Sequence, residues 1–198
     1  MMKIKQTIAI IGATGKMGSA ISKAISAGNY RLLLKSSKRN ELDELVQEIR
    51  NNNVSADVEA IACPTEACWE ADIIVLAIPY EAEKIIAEKI KEVANQKIII
   101  SISRPLNKGY DEQLIGPATS AAEELQEFLP NSKLVKAFNK ISAADLTTTE
   151  IDGKQADVFI AGNDEEALET VKEIVITAGY HPVITGSFGS KNPETMRL

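Results

Sequence analysis

Residues 7–11 form a short apolar run that ends at Gly12, and beyond Gly18 small and apolar residues recur at helical spacing, at Ala20, Ile21, Ala24 and Ile25. This predicts strand, glycine turn and helix. Gly28 and Asn29 stop that helix, and residues 30–34 read as a second buried strand. Leu42, Leu45, Val46 and Ile49 lie on one helical face, closed by Asn51, Asn52 and Asn53. Residues 58–62 are a weaker strand and 64–70 a short helix, whereas 73–78 are almost continuously apolar, the pattern of a strand covered on both faces.

The alternation continues with a helix over 80–93 and a strand over 97–102. Residues 103–117 then carry Pro, Gly and Asn and predict a long loop, a kind that is often functional. A helix follows over 120–129, with strands at 134–138 and 158–161. Asn163 is the expected cap of a helix bearing Leu168, Val171, Ile174 and Val175, with Gly179 as its stop and 183–185 as the last strand. Strands and helices alternating in this way predict an α/β, doubly wound domain with a mostly parallel sheet and right-handed crossovers. A single domain is expected over residues 1–186, with 187–198 as a short C-terminal tail.

Composition narrows the function. A chain of 198 residues with 44% hydrophobic and 25% charged residues has the ordinary globular mixture, which excludes disorder and low-complexity architectures. Its formal charge of -6 gives no general attraction to nucleic acid or to an anionic membrane, so any anion site has to be local. No apolar run approaches a membrane span and residues 1–6 lack the core of a signal peptide, so a cytoplasmic location is expected. Cys63 and Cys68 lie near no histidine cluster and are expected to be reduced thiols rather than metal ligands.

Gly12, Ala13, Thr14, Gly15, Lys16, Met17 and Gly18 follow the first strand and open the first helix, the context in which a glycine pattern carries weight. Glycines let the backbone turn sharply and approach a pyrophosphate, and the amides at the helix start point at the anion. Thr14 adds a hydroxyl donor. The spacing G-x-x-G-x-x-G does not by itself name the ligand, and a tight turn with no ligand is the alternative.

An NAD enzyme places an acid at the end of the second strand to hold the ribose 2′-hydroxyl. Here the chain reads Lys35, Ser36, Ser37, Lys38, Arg39 instead. Two cations and two hydroxyls suit a 2′-phosphate, which predicts NADP over NAD. The alternative, a solvated basic loop, leaves unexplained why cations stand at a helix start, where the dipole disfavours them.

Together these residues resemble the NADP-dependent deazaflavin-coenzyme reductase family, which includes deazaflavin:NADP oxidoreductases and the related cytosolic domains of metalloreductases. The likeness runs over residues 8–188 and rests on IIGATGKMGSAIS, SSKR, ADIIVLAIPYEA, ISRPL, SAAEELQEFLPNSKLVKAFN and DVFIAGNDEEALETVKEIVITAGYHPV. It implies a Rossmann fold with NADP along the strand ends, and hydride transfer between the nicotinamide and a flavin or deazaflavin as second substrate. By the same resemblance Thr14, Gly15, Lys16 and Met17 hold the pyrophosphate, Ser36, Ser37, Lys38 and Arg39 the 2′-phosphate, and Ala77, Ile78 and Pro79 flank the nicotinamide half. The chain departs from the family at three places: Ser36-Ser37 replaces its Ser-Arg, Arg104-Pro105 its Asn-Pro, and Asn139 a histidine. The family's helices beyond the last strand, which help build the acceptor pocket and a homodimer, have no counterpart before Leu198.

Ser103, Arg104, Asn139 and Ile141 are the acceptor-side candidates, as residues at or beyond strand ends. A second reading makes Asn139 a helix cap and Ile141 a core residue. Tyr80 and Lys84 fit the Tyr-x-x-x-Lys of short-chain dehydrogenases, but Tyr80 directly follows Pro79 after the fourth strand, the wrong place for that pair. Tyr80 is then a wall or packing residue and Lys84 a surface one. His181 is expected to be structural. No triad, carboxylate pair or metal cluster can be assembled, which is compatible with hydride transfer between two cofactors. The competing function is a non-catalytic NADP(H)-binding sensor or interaction protein.

Overall fold

The structure is a computed structural model that describes residues 4–103, 121–139, 150–151 and 154–187. In chain order its elements are β1 (Gln6–Ile11), α1 (Lys16–Ile25), β2 (Tyr30–Lys35), α2 (Arg39–Asn52), β3 (Asp57–Ala60), α3 (Pro64–Glu70), β4 (Ile73–Leu76), α4 (Tyr80–Ile90) and β5 (Ile98–Ser101). There follow α5 (Ala121–Phe128), β6 (Lys133–Lys136), β7 (Glu150–Ile151), β8 (Lys154–Gln155), β9 (Asp157–Gly162), α6 (Glu165–Thr177) and β10 (His181–Gly186).

Eight strands form one sheet in the order β10-β9-β6-β5-β4-β1-β2-β3, and β7 and β8 pair separately. Strands β1 to β6 pair in parallel, with Ile8 to Ile11 of β1 in register with Ile73 to Leu76 of β4. β9 pairs antiparallel with β6, and β10 follows β9 in parallel, so the last two strands run against the other six. The sheet is mostly parallel, as expected, but nothing in the apolar pattern of β9 and β10 announced their reversed direction.

Burial explains the continuous apolar strands. In β4, Ile73 and Val75 enter one core layer with Ile21, Leu42 and Val171, while Ile74 and Leu76 enter the other with Ala67, Ala87 and Leu125. β1 divides in the same way, Ile8 and Ile10 to the first layer and Ala9 and Ile11 to the second. A fully buried Ile or Leu side chain contributes about 1.5–3 kcal/mol, so these central strands fix the order and register of the sheet. Helices α1, α2 and α6 cover one face and α3, α4 and α5 the other.

One expected cap is corrected. Asp164, not Asn163, is the N-cap of α6, its side chain accepting from the Ala167 amide at 2.8 Å. Both residue types can cap, and the position that sets its carboxylate over the first-turn amides takes the role. His181, the first residue of β10, meets Asp157 of β9 through Nδ1 at 2.8 Å. Among the described residues no helix is long and apolar enough to cross a membrane. The tail beyond residue 187 lies outside the described residues, as does most of the loop expected at 103–117.

Candidate functional site

β1 and β4 are neighbours in the sheet, yet their chains leave in opposite directions, β1 toward β2 and β4 toward β5. That reversal opens a crevice beyond their carboxyl ends, the place where open α/β sheets bind ligands. The turn after β1 fits into it by close backbone approach. Gly12 has φ 92°, and a Cβ there would stand 2.2 Å from the Ala77 carbonyl oxygen, which no side chain tolerates. Gly18 is equally confined, since its Cβ would lie 2.3 Å from the Gly12 oxygen.

Gly15 differs. Its φ is an ordinary -65° and it is exposed, and a Cβ would meet the Gly12 oxygen at 3.2 Å, a tight contact that a shift of a few tenths of an ångström relieves. The fold therefore constrains Gly15 far less than it does Gly12 or Gly18. Gly15 is the N-cap of α1, has no side chain to cap with, and no acid stands in the first turn. The amides of Lys16, Met17 and Gly18 therefore start the helix with no intrahelical acceptor, a donor set suited to an anion.

The turn is tied to the end of β2. The Gly12 and Ala13 amides both donate to the Lys35 carbonyl, at 2.8 and 3.0 Å, and the hydroxyls of Thr14 and Ser36 are hydrogen-bonded to each other. Ser36 Oγ also accepts from the Lys38 amide at 3.2 Å. The pyrophosphate candidates and the 2′-phosphate candidates thus form one surface. Ser37, Lys38 and Arg39 are exposed on it. Lys38 Nζ contacts Glu41 at 2.9 Å and Arg39 Nε contacts Asp43 at 3.1 Å. Exposed pairs of this kind are worth about 0–1 kcal/mol, so neither carboxylate ties its cation down.

Ala77, Ile78 and Pro79 continue β4 into the crevice, Ala77 and Ile78 directly facing Gly12. Ser103 lies two residues past β5 and is buried, and Asn139 lies three past β6 and is also buried. Arg104 and Ile141 fall outside the described residues. Tyr80 is a half-buried wall residue: its hydroxyl donates to Glu124 of α5, and burial with that carboxylate raises it to about 12. Lys84 stands over the Phe128 ring, 5.1 Å from its centre.

Three buried polar residues beside Ser103 were not expected from the sequence: Glu83, Ser101 and Lys136. Ser101 Oγ donates to Glu83 Oε1 at 2.8 Å and lies 3.4 Å from Ser103 Oγ, and Lys136 Nζ donates to the Ser103 carbonyl at 2.9 Å. Burial pushes Lys136 down to about 8, opposed by Glu83, and pushes the Glu83 carboxyl up, opposed by Lys136 and the two serine hydroxyls. One signal was available. Leu134 and Lys136 are two apart on a strand and so share a face, which placed the lysine on an apolar one.

Among the described residues no cluster of His, Cys, Asp and Glu can hold a metal ion, and both cysteines are free thiols. A depression of about 350 Å³ bordered by Trp69, Asp72, Lys97, Lys133 and Glu166 opens at the amino ends of the strands, the end opposite the glycine turn.

Comparison with known proteins gives one family model and a set of reductase and dehydrogenase relatives. The sequence model of the family described as "NADP oxidoreductase coenzyme F420-dependent" matches residues 7–105, which hold the glycine turn, the basic loop and the end of β4. Over 175 residues the chain is 29% identical to the F420-dependent NADP reductase of Methanocaldococcus jannaschii, covering 84% of this chain and 77% of that protein. The reductase of the same name from Methanothermobacter thermautotrophicus is 27% identical over 180 residues, covering 84% and 75%. The crystal structure of a hypothetical protein from Sinorhizobium meliloti superposes with a TM-score of 0.77 over 93% of this chain and 86% of that one, at 23% identity, a likeness of fold.

Two outcomes test this geometry. Gly15→Val should abolish binding of NADP in a calorimetric titration while the protein still melts cooperatively, because only the ligand needs the space; unchanged affinity would remove the turn from the site. The contribution of Lys136 to stability should rise between pH 8 and 10.5, because folded Lys136 releases its proton near 8 while the unfolded lysine keeps it to 10.5. The penalty for burying the ammonium is full below that window and gone above it. Cys68, pushed up to about 12 by burial, acts oppositely above its ordinary 9.0, and Tyr80 above its ordinary 10.0, so the gain is read as the difference between the wild-type protein and a variant without Lys136. Denaturant melts at about pH 7.5 and 9.5 should show a gain in the wild-type protein that Lys136→Met lacks.

Proposed function

Because the chain belongs to the family of coenzyme F420-dependent NADP oxidoreductases, and is by that membership an NADP-dependent oxidoreductase, we propose that it transfers a hydride between NADP(H) and a deazaflavin. The observation that carries this reading is the joined surface at the crevice: a glycine turn with free helix-start amides, hydrogen-bonded through Thr14 and Ser36 to a basic loop where an NAD enzyme would carry an acid. The F420-dependent NADP reductases to which the chain is similar over 84% of its length support the same substrates.

The first-turn amides at Lys16 and Met17, with the Thr14 hydroxyl, hold the pyrophosphate. Ser36, Ser37, Lys38 and Arg39 hold the 2′-phosphate, Arg39 offering a forked donor and Lys38 a point charge. Gly12 and Gly15 leave the room for close approach, and Ala77, Ile78 and Pro79 line the nicotinamide half with Ser103. Asn139 and Ile141 stand on the acceptor side. When bound, NADP(H) supplies the nicotinamide carbon that gives or takes the hydride, and the deazaflavin supplies its partner carbon. This chain's residues position the two rings and keep water out, so no acid–base pair is required of them. A non-catalytic NADP sensor, the competing reading, is disfavoured by a family of oxidoreductases. The same proposal carries a cytoplasmic location and a homodimer, the latter open to test by sedimentation.

Turnover is the direct test. NADPH oxidation followed at its nicotinamide absorbance should be accelerated above the protein-free background by a deazaflavin; NADPH binding with no acceleration by any deazaflavin or flavin would overturn the catalytic reading. Selectivity is the second test. Lys38→Ala combined with Arg39→Ala should weaken NADPH binding by on the order of a hundredfold, from the loss of charge-assisted hydrogen bonds, while NADH binding barely changes. Equal losses for both nucleotides would assign the loop to the shared pyrophosphate and withdraw the NADP selectivity.

A further inference from the structure

Leu76, Ser101 and Lys136, the last residues of β4, β5 and β6, are register partners across three adjacent strands. The edge they form borders the crevice. Their side chains lie on the α4 and α5 face of the sheet, where β4 and the earlier residues of β5 and β6 are aliphatic. At this edge the pattern turns polar, and the buried charged side chains of the described residues gather here: Ser101 and Lys136 are each 1% exposed, Glu83 of α4 2% and Ser103 5%.

We propose that Glu83 and Lys136, acting through Ser101 and Ser103, are positioning residues that fix the strand-end edge against which the nicotinamide of NADP(H) lies. The inference rests on the NADP reading above and deepens it. Three features carry it. First, the hydrogen bonds run to the edge: Glu83 receives the Ser101 hydroxyl, the Ser101 and Ser103 hydroxyls meet, and Lys136 holds the Ser103 carbonyl. Ser103 is therefore gripped from both sides, at its hydroxyl and at its backbone. Glu83 sits in the first turn of the helix that begins directly after Ala77, Ile78 and Pro79, so the same carboxylate links the ends of β4 and β5.

Second, the arrangement has no stability rationale. Exchanging buried opposite charges for well-packed apolar residues of similar volume is commonly neutral or stabilising, and among the described residues no other charged side chain is buried on this face. Third, the backbone just past β6 is strained. Phe138 has φ 59°, a left-handed conformation that an aromatic residue rarely adopts, and its ring packs edge-on against Tyr180 with centroids 6.2 Å apart. Strain of this kind persists where the surroundings over-determine the chain, and it concentrates at binding sites. It stands between Lys136 and Asn139, the residue placed on the acceptor side.

The test separates the nicotinamide half from the rest of the dinucleotide. NADPH and 2′-phospho-ADP-ribose share the adenosine, the 2′-phosphate and the pyrophosphate, and only NADPH carries the nicotinamide. Calorimetric titration of both is to be compared between the wild-type chain and the double variant Glu83→Leu with Lys136→Met, which removes both charges together. The variant should melt cooperatively and bind 2′-phospho-ADP-ribose as the wild type does, while its NADPH affinity falls about tenfold or more, because the edge under the nicotinamide is no longer held in place. A cooperatively melting variant that keeps the wild-type preference for NADPH overturns the proposal. If the double variant does not fold, Ser101→Ala decides, since it leaves both charges in place and cuts the link between Glu83 and the edge: its NADPH preference should drop, and an undiminished one overturns the proposal equally. Wild-type protein that binds neither ligand would instead bring down the NADP reading itself.

Discussion

The close backbone approach between the turn after β1 and the end of β4 is the constraint on which the rest of the structure depends. A single atom beyond hydrogen on Gly12 would sit 2.2 Å from the Ala77 oxygen, and one on Gly18 2.3 Å from the Gly12 oxygen. These contacts let α1 start directly over the crevice instead of beside it. They also explain why β1 and β4 must be exactly matched neighbours at residue level: a slip of one residue would carry Ala77 away from Gly12 and send Ile74 and Leu76 to the wrong core layer. Packing of the sheet and shape of the site are consequences of the same register.

From that turn the site extends sideways by hydrogen bonds. The Lys35 carbonyl takes two amides from the turn, and the Thr14 to Ser36 contact carries the link to the start of α2. The cations of the basic loop are held beside Glu41 and Asp43 on their own helix, where exposed ion pairs steady the side chains without competing with a phosphate. The loop is positioned by the backbone and left available by weak side-chain partners. In the proposed function that combination gives the cations at this helix start a reason: the dipole disfavours them there by less than a bound 2′-phosphate would repay.

Much of this was legible in the sequence because the signals were local and physical. A near-continuous apolar run can only be a strand covered twice, and 73–78 gave β4; glycines between a strand and a helical period gave the turn; missing acid after the second strand gave the NADP expectation. The signals failed where the deciding interaction is distant in sequence. Whether β9 runs with or against β6 depends on pairing across the sheet, not on its own pattern. Asn163 and Asp164 are both competent caps, and only the approach of the chain to α6 chooses between them. Glu83 reads as one more acid on a charged helix, and Lys136 as a polar residue near a strand end, until the fold brings α4 over β5 and β6 and buries both.

That last failure separates two kinds of information. The aliphatic positions of the sheet are dictated by burial, so a sequence pattern predicts them and many apolar residues would serve in their place. A buried carboxylate and ammonium are not what burial dictates. They carry a desolvation penalty that pushes each toward its neutral form, and hydrogen bonds through Ser101 and Ser103 offset it only because the geometry at the strand ends is met closely. Where a fold places such residues at the edge of its proposed ligand crevice and, among the described residues, nowhere else on that face, packing has stopped being the reason for the residue, and orientation of what lies beyond the edge is the physical requirement that remains.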